Sequence, residues 1–131
     1  MSTRSKLFRP NRGGLGTRPV FNGRKNIKDM YDSEWARYSR KFLSINNKCY
    51  CCNSKSEVTD HVIPHKGSEV LFKKLDNHIP LCKICHNTVT ALFDKQYIAG
   101  SSIERKLIWI NQMRSNNSVT IAVKVLPQYG R

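Results

Sequence analysis

Apolar and polar positions along the chain fall into segments of two periods. Residues 32–44 place Trp35, Tyr38 and Phe42 at spacings of three and four, with Arg37, Arg40 and Lys41 mostly off that face. This is the pattern of an amphipathic helix, and Asp32 or Ser33 can cap its start. The aromatic stripe reads as core packing rather than as a base-stacking surface. Residues 57–63 (EVTDHVI) alternate loosely and hold β-branched residues, which predicts a strand ending near His61 to Pro64. A loop over 66–76 follows, with one helical turn expected at Ser68 to Phe72, and then a short return strand at 78–81. A helix from about Cys85 to Asp94 or Gln96 turns Val89, Leu92 and Phe93 inward. Ser101-x-x-Glu104 has the form of a capping box and opens a helix to about Met113, with apolar positions at Ile103, Leu107, Ile108 and Ile110. Trp109 lies off that stripe and either packs on a neighbouring element or meets a ligand. After a turn at 116–118, Val119, Ile121, Val123 and Val125 alternate with Thr120, Ala122, Lys124 and Leu126. That alternation predicts a last strand with one buried face.

The pattern gives an α+β chain: a strand–loop–strand–helix unit with flanking helices and a C-terminal strand. Its 131 residues suit one domain, and a hydrophobic share of 39% implies a small core. Small cores often need a staple, either disulfides or a metal. The formal charge of +14 points to a polyanionic partner, nucleic acid before membrane. The charge is uneven. Residues 1–48 carry 12 basic against 3 acidic residues, 49–99 carry 6 against 5, and 100–131 carry 5 against 1. The basic flanks therefore supply most of the attraction for phosphate. Residues 1–30 are rich in basic residues, glycine and proline and read as a flexible basic arm, either lying along a phosphate backbone or serving as a solubilising tail. Residues 31–131 form the expected domain.

No signal-peptide region is legible in residues 1–30, and no run is long enough to span a membrane. The expected setting is the cytoplasm. There, paired C-x-x-C motifs read as a metal site rather than as a disulfide framework. Cys49-x2-Cys52 and Cys82-x2-Cys85 stand 29 residues apart. Four thiolates suit a tetrahedral Zn2+ with no open position, which is a structural site. Such a site supplies on the order of 10–16 kcal/mol of apparent binding energy, as much as the whole stability of a small domain. Cys51 is the spare thiol, because using it leaves one residue or none between ligands.

A second cluster is made of oxygen and imidazole groups: Asp60, His61, Asn77 and His86, with His65 nearby. On a regular strand, Asp60 and His61 point to opposite faces. His86 sits beside a candidate zinc thiolate, in the first turn of the following helix. Phosphodiester hydrolysis needs a base to activate water and a cation to stabilise the charge that develops on phosphate. A neutral imidazole suits the first role, and a carboxylate with an imidazole suits a divalent ion in the second. Each residue alone is a weak signal. Their placement inside the C-x-x-C frame is what gives them weight.

Cys49-x2-Cys52, Asp60-His61-Val62-Ile63-Pro64, Asn77, Leu81-Cys82-x2-Cys85-His86-Asn87 and Thr90 together resemble the HNH endonuclease motif in its zinc-containing form, over roughly residues 49–94. The length, the basic flanks and the ending VLPQYGR are similar to small free-standing HNH endonucleases of bacteriophages. The resemblance implies a ββα-metal core stapled by the four-cysteine zinc site. It implies His61 as general base, and Asp60 and His86 as ligands of a catalytic Mg2+ or other divalent ion. Asn77 would brace the loop bearing His61. The implied activity is a metal-dependent DNA endonuclease or nickase acting on double-stranded DNA, as a monomer or weak dimer, in the host cytoplasm and with phage protein partners if phage-encoded. The family often has Lys three residues after the final His. Val89 stands there instead, so either that phosphate contact is missing or another lysine such as Lys95 supplies it. The competing reading is a non-catalytic zinc-ribbon nucleic-acid-binding protein, which leaves Asp60, His61 and His86 as coincidence.

Overall fold

The computed structural model describes residues 26–95 and 101–129. Most of the expected basic arm, Gln96 at the expected end of a helix, and the Ser101 side chain of the expected capping box lie outside the described residues.

The chain is mixed α/β. Asn26 accepts from Lys28 N and caps a helical turn, α1 (Ile27–Met30). Residues 26–30 fall within the expected arm, yet Met30 is buried in this turn. Asp32 accepts from Trp35 N and caps α2 (Ser33–Ile45), which buries Tyr38 and Phe42. β1 (Val58–His61) and β2 (His78–Leu81) pair antiparallel, with Val58 opposite Leu81 and His61 opposite His78. Between them, Ser68 caps α3 (Glu69–Lys73), and a 3-10 turn (Leu75–Asn77) leads into β2. Cys82 caps α4 (Lys83–Val89), which continues as one π-helical turn (Thr90–Asp94). α5 (Ser101–Asn116) is the longest helix described. A two-stranded sheet is marginal by itself. Here α2 packs on β1, α4 packs on both strands, and seven of the eight strand residues are buried.

Two apolar clusters hold these elements. One gathers Leu81, Val89 and Ile110 with Ile79 and the buried cysteines. The other joins Tyr38 and Phe42 to Leu126, with Trp35 packed against it.

Three expectations need correction. Residues 119–126 form no strand. Three of their backbone groups are taken by side chains instead. Asn46 accepts from Lys124 N at 2.8 Å and donates to Lys124 O at 2.9 Å, while Arg114 donates to Ile121 O at 2.7 Å. Val119 and Leu126, which belong to opposite faces of the expected alternation, are both buried, and Val125 is exposed. Leu92 points outward, because it lies inside the π-helical turn, whose wider pitch shifts the helix phase. Finally, α5 does not turn Leu107 and Ile108 inward. Both are exposed, and Ser102, Lys106 and Ile110 face the protein. Trp109 packs near Phe93, with ring centroids 6.4 Å apart.

Candidate functional site

The first candidate is the thiol cluster. Cys49 to Asn53 form a tight turn in which Asn53 N donates to Cys49 O. Asn53 closes it at φ 67, a left-handed conformation that asparagine tolerates better than most residues. From the other side, Cys82 Sγ accepts from Cys85 N at 3.4 Å at the start of α4. These two turns bring the Sγ atoms of Cys49, Cys52, Cys82 and Cys85 within 4.8 Å of one another. A tetrahedral zinc with Zn–S bonds of about 2.3 Å needs sulfurs about 3.8 Å apart. Cys52 and Cys82 stand at 3.7 Å. The cluster can therefore hold one structural metal ion such as zinc. Cys51 is buried beside it and is not a member of the group. A hydrogen bond with Cys51 draws the Cys49 thiol down to about 4, while burial pushes Cys52 and Cys85 up. Cys52 and Cys85 thus favour the thiol form unless a cation is bound to draw off their protons.

The second candidate is a cleft of about 600 Å3 along β1, walled by α1 and α2 on one side and by α4 and the π-helical turn on the other. Asp60, His61, His65 and His86 all line it. Asp60 and His61 do point to opposite faces of β1, yet no kink is needed to bring them to one space. β1 has no strand partner on its outer edge among the described residues, so both faces open there. Asp60 faces the helices, with His86 Nε2 3.5 Å from its Oδ1. His61 faces α2, with its ring stacked on Trp35 at 5.2 Å.

Asp60 is only 4% exposed. Burial raises its pKa to about 6, even though the neighbouring Lys106 acts to lower it. Lys106 Nζ lies 3.1 Å from Asp60 Oδ2 but off hydrogen-bonding alignment, so that oxygen has no hydrogen-bond donor. The contact is an ion pair. The same ammonium donates to Asp94 Oδ1 at 2.9 Å and to the backbone carbonyls of His61 and Val62 at 3.0 and 2.9 Å. A fully buried lysine survives only when it is paired and hydrogen-bonded, as Lys106 is.

The tautomer of His61 follows from its partner. Nε2 lies 3.1 Å from Phe72 O, which can only accept, so Nε2 carries the proton. Nδ1 is left as the unprotonated nitrogen. Burial, with His78 and His65 close by, pushes the His61 pKa down to about 3, and the ring is neutral at physiological pH. His78 shares the same carbonyl. Its Nε2 donates to Phe72 O at 2.8 Å, and its Nδ1 accepts from Tyr38 Oη at 2.6 Å.

Asn77 is buried and spans the loop after His61. Its side chain accepts from Ile63 N at 2.8 Å and donates to Ile63 O at 3.0 Å and Leu71 O at 3.2 Å. Its backbone carbonyl accepts from Val62 N. Both ends of the loop are thus tied to one residue.

The structure brings Asp60, His61 and His86 together and places Asn77 behind them. Sequence reasoning missed Lys106, Asp94, Tyr31 and His78. A buried lysine on a helix has no local signature, since one in every helical turn of a basic chain looks solvated. His78 opens a strand as many polar residues do. No protein-family model matches this chain, and no curated protein matches it.

Proposed function

We propose that the chain is a metal-dependent DNA endonuclease or nickase of the HNH kind, with a ββα-metal core. One observation carries the reading: the Asp60 carboxylate and the His86 imidazole converge to 3.5 Å in the same cleft onto which His61 opens. Asp60 and His86 would hold the divalent ion, and as a pair they leave positions for water and phosphate. When bound, that ion supplies Lewis-acid stabilisation of the charge developing on the phosphate. Carboxylate with imidazole suits Mg2+, Mn2+, Ni2+ or Zn2+ in different degrees.

His61 then acts through Nδ1. It takes a proton from the attacking water as the new P–O bond forms and the bond to the leaving ester oxygen breaks. The Phe72 carbonyl holds the Nε2 proton and favours the imidazolium that results. Stacking on Trp35 keeps the ring from rotating. Burial makes His61 a weak base, and the Phe72 hydrogen bond partly restores its basicity. Asn77 positions the loop, and a zinc held by Cys49, Cys52, Cys82 and Cys85 would fix the start of α4 and hence the direction of His86. The basic flanks and net charge of +14 supply attraction for duplex DNA. Plasmid nicking that requires both a divalent ion and His61 tests this reading. Tight DNA binding without cleavage would favour the zinc-ribbon binding protein instead.

A further inference from the structure

One wall of the cleft is used neither by the thiol frame nor by the Asp60–His86 pair. Tyr31, just after α1, and His65, in the loop after β1, both line it. The loop turns sharply at Lys66 (φ 49) and Gly67 (φ 88), and the turn aims Gly67 N–H at His65 Nδ1, 3.1 Å away. Glycine occupies that left-handed conformation without steric cost. A ring nitrogen that accepts an N–H bond carries no proton of its own, so the neutral His65 ring holds its proton on Nε2. Nε2 lies 2.9 Å from Tyr31 Oη. The direction of that bond is then fixed: His65 donates and the phenol oxygen accepts.

Among the described residues, the phenolic hydrogen of Tyr31 is left without an acceptor. The ring that carries it is held edge-on against Phe72 at 5.1 Å and Trp35 at 5.8 Å. It is about half exposed, on the cleft side. Burial and the Asp60 charge raise its pKa, which keeps it a phenol and therefore a donor. The His65 ring stands 4.8 Å from that of His61, so this donor belongs to the same space as the candidate base.

Granted the phosphodiesterase reading above, we propose that Tyr31 donates its phenolic hydrogen to a non-bridging oxygen of the substrate phosphodiester, and that His65 is the positioning residue that points it there. The bond strengthens as negative charge builds on those oxygens during attack. This assigns His65 a role at one remove from the phosphate.

The test uses the full-length, zinc-loaded protein in a Trp109→Phe background, where Trp35 is the remaining tryptophan. Tyr31→Phe, His65→Phe and the double variant keep the ring packing and remove the polar atoms. Binding of the dinucleotide TpT is read by Trp35 fluorescence without added divalent ion, and turnover is read on bis(p-nitrophenyl) phosphate with Mn2+. Tyr31→Phe is expected to weaken TpT binding and lower kcat/KM by about tenfold or more. His65→Phe moves both in the same direction by less, and the double variant matches Tyr31→Phe alone. TpT affinity and kcat/KM unchanged in Tyr31→Phe would overturn the proposal, as would losses that multiply independently or a native protein that gives no TpT response. A native protein that binds TpT but turns nothing over sinks the nuclease reading only, and the TpT series then decides the Tyr31 contact.

Discussion

The Lys106 ammonium lies 3.1 Å from the Asp60 carboxylate and reaches across from α5 to the strand that carries the candidate chemistry. It also bonds Asp94 and the carbonyls of His61 and Val62. One side chain thus pairs with two carboxylates and fixes the backbone that follows Asp60. Lys106→Met is expected to cost about 3–5 kcal/mol, because it leaves buried charge without a partner. Urea denaturation with zinc in excess measures this. A loss below about 1 kcal/mol would show that the carboxylates do not depend on the lysine.

The thiol cluster ties the turn before β1 to the start of α4. One zinc per chain is expected by elemental analysis. A strong chelator should unfold the protein, with far-UV circular dichroism and thermal stability lost together. Cys52→Ser should behave likewise, whereas Cys51→Ser should retain the zinc. A chelated protein that keeps its cooperative melt would contradict a structural role for the ion.

Acid should destabilise the fold in a defined window. His61, His65 and His78 all have pKa values lowered by burial, from an ordinary value of 6.5. The unfolded chain therefore binds more protons below pH 6.5, and stability is complete above that pH and lost as pH falls through it. Each histidine adds at most about 1.4 kcal/mol per pH unit. Asp60, raised to about 6, acts in the opposite direction over the same range. His78→Gln should flatten the dependence between about pH 6.5 and 5.5, measured by denaturant midpoints with zinc present. An unchanged slope would mean that His78 is not held neutral.

Binding to duplex DNA should weaken steeply with salt. If about six phosphates are neutralised, log K against log salt has a slope near about −5. Fluorescence anisotropy on a short duplex gives this directly. A slope near zero would remove the electrostatic basis for a nucleic-acid partner.

The sequence made the local devices legible and left the tertiary ones hidden. The two C-x-x-C turns, the strands around Asp60 and Asn77 and the helix after Cys82 each follow from short spacings and turn chemistry. Lys106 could not be found that way. The apolar residues of α5 suggest that Leu107 and Ile108 face inward, whereas the charge of Asp60 and Asp94 draws in the polar Lys106. Residues 119–126 have the period of a strand, but only the fold reveals that Asn46 and Arg114 take the place of a pairing partner. The aromatic stripe of α2 reads as core, and Tyr38 and Phe42 are core. Trp35 also lies against His61, a contact that helical spacing cannot foresee.

The central claim is that His61 activates water for phosphodiester cleavage beside a divalent ion. Its most direct measurement is the rate at which native protein and His61→Ala convert supercoiled plasmid to nicked circle with Mg2+, Mn2+ or Ni2+, after zinc content and circular dichroism show both to be folded. The native protein is expected to nick with at least one of these ions, and the variant to be slower by about 10²–10⁴-fold. Equal rates would remove His61 as the base, and no nicking by the native protein with any of the ions would contradict the endonuclease reading itself.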